Sequence, residues 1–401
     1  MNELIAVVGP RRRERQGECF VWSRGDQVVA VDSGGAPLLG AHAATFQPTV
    51  LILSHDDHDH IGGAVALIEG AADSLKELWM PAEWAILIAQ IARTGQADLI
   101  SSEDETEPVT VTDVERDVRS GLVTRDGGTD GDALTPGVVD TARRNLTSWT
   151  ASSLDGQSGF WLRQSLLHRR HWYGARDLDE IIDRVRSRAL PLTRILTAAD
   201  RAGIRWRFFS IDLALDTPAA TRSWASPDAG MPGLATLVNA VEAAHAASVA
   251  IAPGLARAYA LTKITVQNRR ALSTLLWADT RSARGGAIIW SDTDGGWLGH
   301  DSHRGLRRII KSLAASSAPH HASGNPAHDA VWEELQHAPK DLAIISAGGQ
   351  WNQSVRHEFV AHGSLRACTR CRPLPAATQE VRAQTVWGGR MRLVNRCLGT
   401  H

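Results

Sequence analysis

The chain has 401 residues, with 43 basic and 44 acidic side chains and a formal net charge of −1. A balanced charge argues against a protein that binds nucleic acid through bulk positive charge, although a local basic patch remains compatible with it. Four cysteines exclude a disulfide scaffold. No apolar run approaches the roughly 18 residues of a membrane span, and the N-terminal residues lack the charge order of a signal peptide. The composition predicts a globular, cytoplasmic protein with no membrane partner.

The start of the chain carries strand patterns followed by one helix pattern. Two β-rich runs within residues 18–35 flank Arg24-Gly25-Asp26 and predict a hairpin. Residues 50–53 form a continuous apolar run, which predicts a buried strand. The apolar spacing after Gly63 predicts a helix, and residues 78–80 predict a further strand.

The middle of the chain differs in composition. A stretch near residues 101–140 is rich in acidic residues, Gly and Thr and poor in apolar groups, which predicts a flexible loop. Residues 178–185 carry apolar side chains on one helical face. Strand patterns return at residues 204–211, 287–290 and 342–345. We therefore predict a catalytic domain from residues 1–82 and 201–365, a mainly helical insertion over residues 83–200, and a C-terminal tail from residues 366–401.

Residues 54–63 read SHDDHDHIGG and carry three His and three Asp in six consecutive positions. Imidazole nitrogen and carboxylate oxygen are good ligands for divalent metal ions. The run follows the predicted buried strand and precedes two glycines, where the backbone can turn tightly into a helix. This arrangement predicts a metal site at the end of a strand.

The same run resembles the metallo-β-lactamase superfamily, in the form typical of the nuclease domain of ComEC-type competence proteins. The shared pattern is S-H-x-D-x-D-H-x-G-G. Asp57 stands where the commoner form has a second His, and His58 follows in a variable position. Residues 17–21 and 29–34 also resemble the first hairpin of the family, with Asp32 before a glycine.

Later motifs resemble the family in the correct order. Residues 287–292 resemble the strand whose closing aspartate bridges two metals, so Asp292 takes that role. Residues 318–323 resemble a His-His-Gly-Ser element, in which one histidine completes the second metal site. His320 is favoured, and His321 is the alternate. Asn268 and residues 343–357 resemble two further elements of the family, with less specific motifs.

The resemblance implies an α/β protein with a four-layer αββα sandwich and a helical insertion. It also implies two divalent metal ions, which are either zinc or one of manganese and magnesium. Site one would be oxygen-rich, which favours Mn²⁺ or Mg²⁺. Catalytic roles fall on Asp59 and on candidate proton donors. The implied ligand sets are His55, Asp57 and Asp292 for site one, and Asp59, His60, His320 and Asp292 for site two. Protonation of a leaving group needs a nearby acid, for which the candidates are His58, His321 and His357.

The function that the resemblance implies is that of a phosphodiesterase or nuclease, which uses water activated by two metals and has nucleic acid as its substrate. One alternative is a hydrolase of small molecules such as cyclic nucleotides, lactones or β-lactams, because the superfamily spans all of these. Another is an effector of a bacterial defence system that a protein partner regulates through the helical insertion.

Two weaker patterns lie outside the main motif. Cys368 and Cys371 form a C-x-x-C pair, and Cys397 and His401 follow, which predicts either a small structural zinc site or free thiols on a tail. Basic residues at helical spacing precede the two histidines, and they form either a phosphate-binding face or a solvated helix face. These basic residues are Arg304, Arg307, Arg308 and Lys311.

Overall fold

The chain divides into two compact units. The first comprises Met1–Pro81, Arg201–Glu242 and Asn268–His401, and the second comprises Ala82–Asp200 and Ala243–Gln267. The computed structural model describes residues 2–7, 17–81, 84, 191–192, 194–210, 230–231, 234–242, 271–279, 284–299, 306–348, 355–361, 365–369, 380–386 and 390–394. In the second unit, residues 191–192 and 194–200 are helical. The predicted loop near residues 101–140 lies outside the described residues.

Sixteen strands lie within the described residues. In chain order they are β1 (Asn2–Val7), β2 (Phe20–Arg24), β3 (Gln27–Val31), β4 (Val50–Ile52), β5 (Glu77–Pro81), β6 (Arg205–Ser210), β7 (Gly230–Met231), β8 (Ala235–Leu237), β9 (Val241–Glu242), β10 (Thr274–Leu276), β11 (Ala287–Ile289), β12 (Ala315–Ser317), β13 (Ala343–Ser346), β14 (Arg366–Cys368), β15 (Glu380–Val386) and β16 (Arg390–Leu393). The predicted hairpin and each predicted strand are present among them.

The strands form two mixed sheets. The first has the order β16-β15-β1-β2-β3-β4-β5-β6-β9, and the second has the order β14-β13-β12-β11-β10-β8-β7. Strands β3 to β6 are parallel neighbours in the first sheet, and β11 to β14 are parallel neighbours in the second. The remaining pairs are antiparallel. The described residues therefore form a mixed α/β structure, as predicted.

Besides the helical residues 191–192 and 194–201, six α-helices accompany the sheets in the part of the chain that the structure describes. They are α1 (Pro37–Ala44), α2 (His58–Ile61), α3 (Ala64–Gly70), α4 (Leu306–Ile310), α5 (Asp329–Gln336) and α6 (His357–Ala361). Short 3₁₀ turns cover Gly296–Gly299, Pro319–Ala322 and Pro326–His328. Among the helices described, none has both the length and the apolar character to cross a bilayer.

One hydrophobic core contains side chains from both sheets. Since side chains alternate across a strand, every second residue faces this core. From the first sheet it receives Leu4, Phe20, Trp22, Val29, Val31, Val50 and Ile52, and from the second Leu237, Leu276, Ile289, Ala315 and Ile345. A second core lies on the other face of the second sheet, where Ile288 and Ile344 pack with buried residues of α4, α5 and α6.

The described residues of the predicted C-terminal tail include three strands, β14, β15 and β16. Residues 366–368 pair in parallel with β13, and residues 380–386 pair with β1 in the first sheet. Val381 and Ala383 enter the shared core, while Arg382 and Gln384 lie between them. This alternation is the strand signal that the charged composition of the segment masks. Residues 243–267, predicted within the catalytic domain, belong instead to the second unit.

Candidate metal centre

The candidate centre lies where parallel strands of both sheets end. Strands β3 and β4 lead into Asp32 and residues 53–57, whereas β11 and β12 lead into Asp292 and residues 318–322. Parallel neighbours release their loops at one edge of a sheet, so each sheet gathers polar side chains there. All of these residues belong to the first compact unit.

Asp32 is a fully buried carboxylate that orients residues of the SHDDHDHIGG run. Its φ of +58° is the left-handed conformation that Asp adopts more readily than most residues. Oδ1 accepts from the Ser54 amide at 2.8 Å, and Oδ2 accepts from Ser54 Oγ at 2.7 Å and from His60 Nδ1 at 2.8 Å. Because a carboxylate only accepts, His60 carries a proton on Nδ1. The atom of His60 that is left for the centre is therefore Nε2.

His55 is oriented in the same way through Ser54. The Ser54 hydroxyl donates to Asp32, so its oxygen accepts from His55 Nδ1 at 2.9 Å. Nε2 of His55 then lies 3.5 Å from Oδ2 of Asp57 and 3.7 Å from Oδ2 of Asp292. His55 and His60 therefore both direct Nε2 toward carboxylates.

Three histidines converge on the carboxylate of Asp292, which is 2% exposed. Oδ1 lies 3.4 Å from His60 Nε2, and Oδ2 lies 3.7 Å from His55 Nε2 and 3.6 Å from His320 Nε2. Within the described residues, Asp292 Oδ1, His55 Nε2 and His60 Nε2 are buried without a hydrogen-bond partner. Since buried polar atoms are almost always satisfied, this trio fits a bound cation.

His321 joins the centre from the second sheet. Its Nδ1 donates to the Ala347 carbonyl at 2.8 Å and lies 3.3 Å from Oε1 of Glu18. Its Nε2 lies 3.0 Å from Oδ2 of Asp59. His321 therefore also directs Nε2 toward a carboxylate of the centre.

Buried charges shift the pKa values of these groups in opposite directions. Burial disfavours the charged form of His60, but the carboxylates of Asp292, Asp32 and Asp59 outweigh it and hold its pKa well above the ordinary value. Burial also disfavours ionised Asp292, yet the nearby imidazoles, His60 first, hold its pKa well below the usual range. His320 differs, because burial lowers its pKa to about 4.

Four sets of three side chains place ligand atoms within 4.8 Å of one another among the described residues. The sets are His55, His60 and Asp292; Asp59, His60 and His321; Asp292, His320 and His321; and Glu18, Asp32 and His60. The first three share members around Asp292 and Asp59. The buried His, Asp and Glu side chains could therefore hold a metal ion.

The structure brings together all six ligands predicted from the sequence. They are His55, Asp57, Asp59, His60, Asp292 and His320. His321, predicted as an alternate ligand and candidate acid, lies with them. The other two candidate acids, His58 and His357, are exposed at the start of α2 and α6.

The weaker sequence patterns have separate outcomes. Cys368 is buried in β14, whereas Cys371, Cys397 and His401 lie outside the described residues, as does Asn268.

In the basic helix α4, Arg307 Nε donates to Glu334 Oε2 of α5 at 2.9 Å. This side chain of the predicted basic face therefore forms an ion pair on the surface, where Arg308 and Lys311 are exposed.

Two buried residues beside the centre escaped sequence reasoning. Glu18 is fully buried next to His321, and burial raises the pKa of its carboxyl. His328 is 2% exposed and contacts His320. Glu18 lies in the run that resembles the family's first hairpin, which is the one signal that could have identified it. No pattern connects His328 to His320.

No protein-family model and no curated protein sequence matches the chain.

Proposed function

We propose that this protein is a metal-dependent hydrolase with two divalent ions, and most specifically a phosphodiesterase that cleaves nucleic acid. The observation that carries the proposal is the set of buried Nε2 and carboxylate atoms around Asp292 that have no hydrogen-bond partner within the described residues. Each of His55, His60 and His321 engages Nδ1 with a fixed oxygen and directs Nε2 toward carboxylates. This orientation is how proteins prepare histidine for a metal.

The proposal includes the four-layer αββα sandwich of the metallo-β-lactamase superfamily. Three features support it: the core shared by the two mixed sheets, the helices α4 to α6 packed on the second sheet, and the position of the site at strand ends. The motif order along the chain agrees with the same fold.

The residues divide into two ligand groups that share Asp292. His55 and Asp57 would hold one ion beside Asp292, and Asp59, His60 and the histidines of residues 320–321 would hold the other. Two ions held there would supply an activated water and would stabilise the charge of a phosphate undergoing displacement. Asp32 and Ser54 hold the histidine rings in place, and the near-complete burial of His55 and His60 restricts water around them.

The test is hydrolysis of single- and double-stranded DNA by the purified protein with Mn²⁺ or Zn²⁺, together with measurement of the bound metal. We expect cleavage by the wild type and a loss of more than about a hundredfold for Asp59→Ala, because residues that only orient ligands already cost about 10–100-fold. Asp73→Ala is the matched control, since Asp73 is exposed away from the motif. Intact DNA in the presence of stoichiometric bound metal would contradict the nuclease assignment.

A second candidate is hydrolysis of small molecules. The net charge of −1 favours it, because extended nucleic acid is attracted by a basic surface. The same metal-loaded protein is tested with cyclic nucleotides, a lactone and a β-lactam. Turnover of one of these with unchanged DNA would select this candidate.

A further inference from the structure

His320 and His321 are consecutive, yet they use different residues to hold their rings. His321 is held by the Ala347 carbonyl. His320 contacts another histidine, because its Nδ1 lies within hydrogen-bond distance of His328 Nε2. His328 Nδ1 in turn lies 2.8 Å from the carbonyl oxygen of Thr293.

The Thr293 carbonyl determines which ring nitrogens of His328 and His320 carry protons. A carbonyl only accepts, so His328 carries its proton on Nδ1. When Nε2 of His328 carries no proton, its lone pair accepts from Nδ1–H of His320. His320 Nε2 is left with its lone pair, 3.6 Å from Oδ2 of Asp292. His328 thus determines both the tautomer and the direction of His320.

The backbone at this point needs such support. Residues 320, 321 and 322 have φ values of +44°, +56° and +61°, a left-handed run of three non-glycine residues. L-residues disfavour this conformation, because Cβ comes too close to the following carbonyl oxygen. The His320 amide donates to the Ser291 carbonyl at 3.0 Å, which joins this run to the Asp292 loop. Because Thr293 follows in the same loop, His328 adds a side-chain connection between the same two segments.

We propose that His328 is a positioning residue, which directs Nε2 of His320 into the proposed metal centre beside the carboxylate of Asp292. This inference rests on the proposed metal centre, but its first test does not. His328 touches neither the ions nor substrate and acts only through His320. The pair of consecutive histidines then supplies two separate ligands, with His328 orienting His320 and Ala347 orienting His321.

The first test reads the tautomer of His320 in metal-free protein by long-range ¹H–¹⁵N NMR of ¹⁵N-histidine-labelled samples. The His320 signals are assigned by their loss in His320→Gln. We expect the Nδ1–H form in the wild type and a shift toward mixed tautomers in His328→Phe, which keeps a ring but has no nitrogen. His328→Gln retains an acceptor and a donor and should restore the Nδ1–H form. An unchanged tautomer in a folded His328→Phe protein would overturn the proposal.

The second test measures Zn²⁺ and Mn²⁺ binding by calorimetry. We expect His328→Phe to weaken one binding step by about 10–100-fold, as for other partners that orient metal-bound histidine. His320→Ala should weaken the same step, and the double variant should lose no more than His320→Ala alone. His337→Phe, a histidine exposed after α5, is the control that should bind like the wild type.

The outcomes separate the two proposals. Losses from His328→Phe and His320→Ala that add independently would overturn the positioning role while leaving the metal centre intact. A wild type that binds neither ion would overturn the proposed function, and the NMR experiment would still decide whether His328 orients His320.

Discussion

At the residue scale, the protons of the buried histidines and the proposed ions compete for the same atoms. The net effect of neighbouring carboxylates and burial raises the pKa values of His55, His60 and His321. Metal-free protein therefore holds protons on these rings at a pH where free histidine, with a pKa of about 6.5, has lost them. Binding of a metal must displace these protons.

We therefore predict that affinity for Zn²⁺ or Mn²⁺ rises with pH and that binding releases protons. Calorimetry at about pH 7 in two buffers of different ionisation enthalpy counts the released protons. Asp73→Ala should release as many protons as the wild type, because Asp73 is exposed outside the cluster. Affinity that is constant between about pH 6 and about pH 8 would contradict the idea that these raised pKa values govern binding.

The same shifts predict how the metal-free fold responds to pH. A raised histidine pKa contributes stability that is fully present below about pH 6.5 and is lost as pH rises through the folded-state pKa. The pKa of His320 is lowered to about 4, so this residue reduces the stability of the fold only below about pH 6.5, where the unfolded chain binds more protons. Chelator-treated protein should therefore unfold at lower urea concentration at about pH 8.5 than at about pH 6.5. The reverse order would show that other groups control its stability.

At the element scale, the two sheets approach each other through glycine at the ends of their strands. Gly348, after β13, has φ of +68°, and a Cβ there would lie 2.6 Å from the carbonyl carbon of Gly17. Gly17 precedes Glu18, and Gly348 follows the Ala347 carbonyl that accepts from His321. This close backbone contact therefore supports the position of one proposed ligand.

We predict that Gly348→Ala destabilises the fold by about 1–3 kcal/mol beyond the cost of its left-handed conformation, because the added methyl has no space. Gly25→Ala is the matched control, since Gly25 has φ of +62° and a Cβ there meets nothing within 4 Å. Urea unfolding gives both free energies of unfolding. Equal losses in the two variants would show that the Gly17 contact can relax at no cost.

At the scale of the whole molecule, the proposed ligands come from loops of both sheets and from distant parts of the chain. His55 and His60 follow β4, whereas Asp292, His320 and His321 follow β11 and β12. An ion that binds only the folded arrangement adds to the free energy of unfolding, by about 2.7 kcal/mol at an ion concentration of about 100 times the dissociation constant.

Removal of metal should therefore lower the thermal midpoint of the wild type, and restored Zn²⁺ or Mn²⁺ should raise it again. Asp59→Ala should respond far less, because it lacks one proposed ligand. Differential scanning calorimetry with and without chelator measures both. A midpoint that stays constant while metal analysis records complete loss would mean that the ions do not connect the two sheets.

The sequence alone was sufficient for several elements and for the ligand types. Residues 50–53 and 287–290 are short apolar runs that could be identified as buried strands. The composition of SHDDHDHIGG predicts a metal site. Local patterns of this kind suffice because burial and ligand type are properties of neighbouring residues. The strand at residues 380–386 was not predicted, because its alternating polar and charged side chains resemble those of a solvated segment. Its pairing with β1 is visible only in the tertiary structure.

Only the tertiary structure decided how the histidines are held. Asp32 holds His60, Ser54 holds His55, the Ala347 carbonyl holds His321, and His328 contacts His320. Most of these partners come from different loops, and a hydrogen bond depends on distance and direction in space rather than on spacing along the chain. The sequence therefore determined which atoms could bind a metal, while the fold determined which of them point at Asp292.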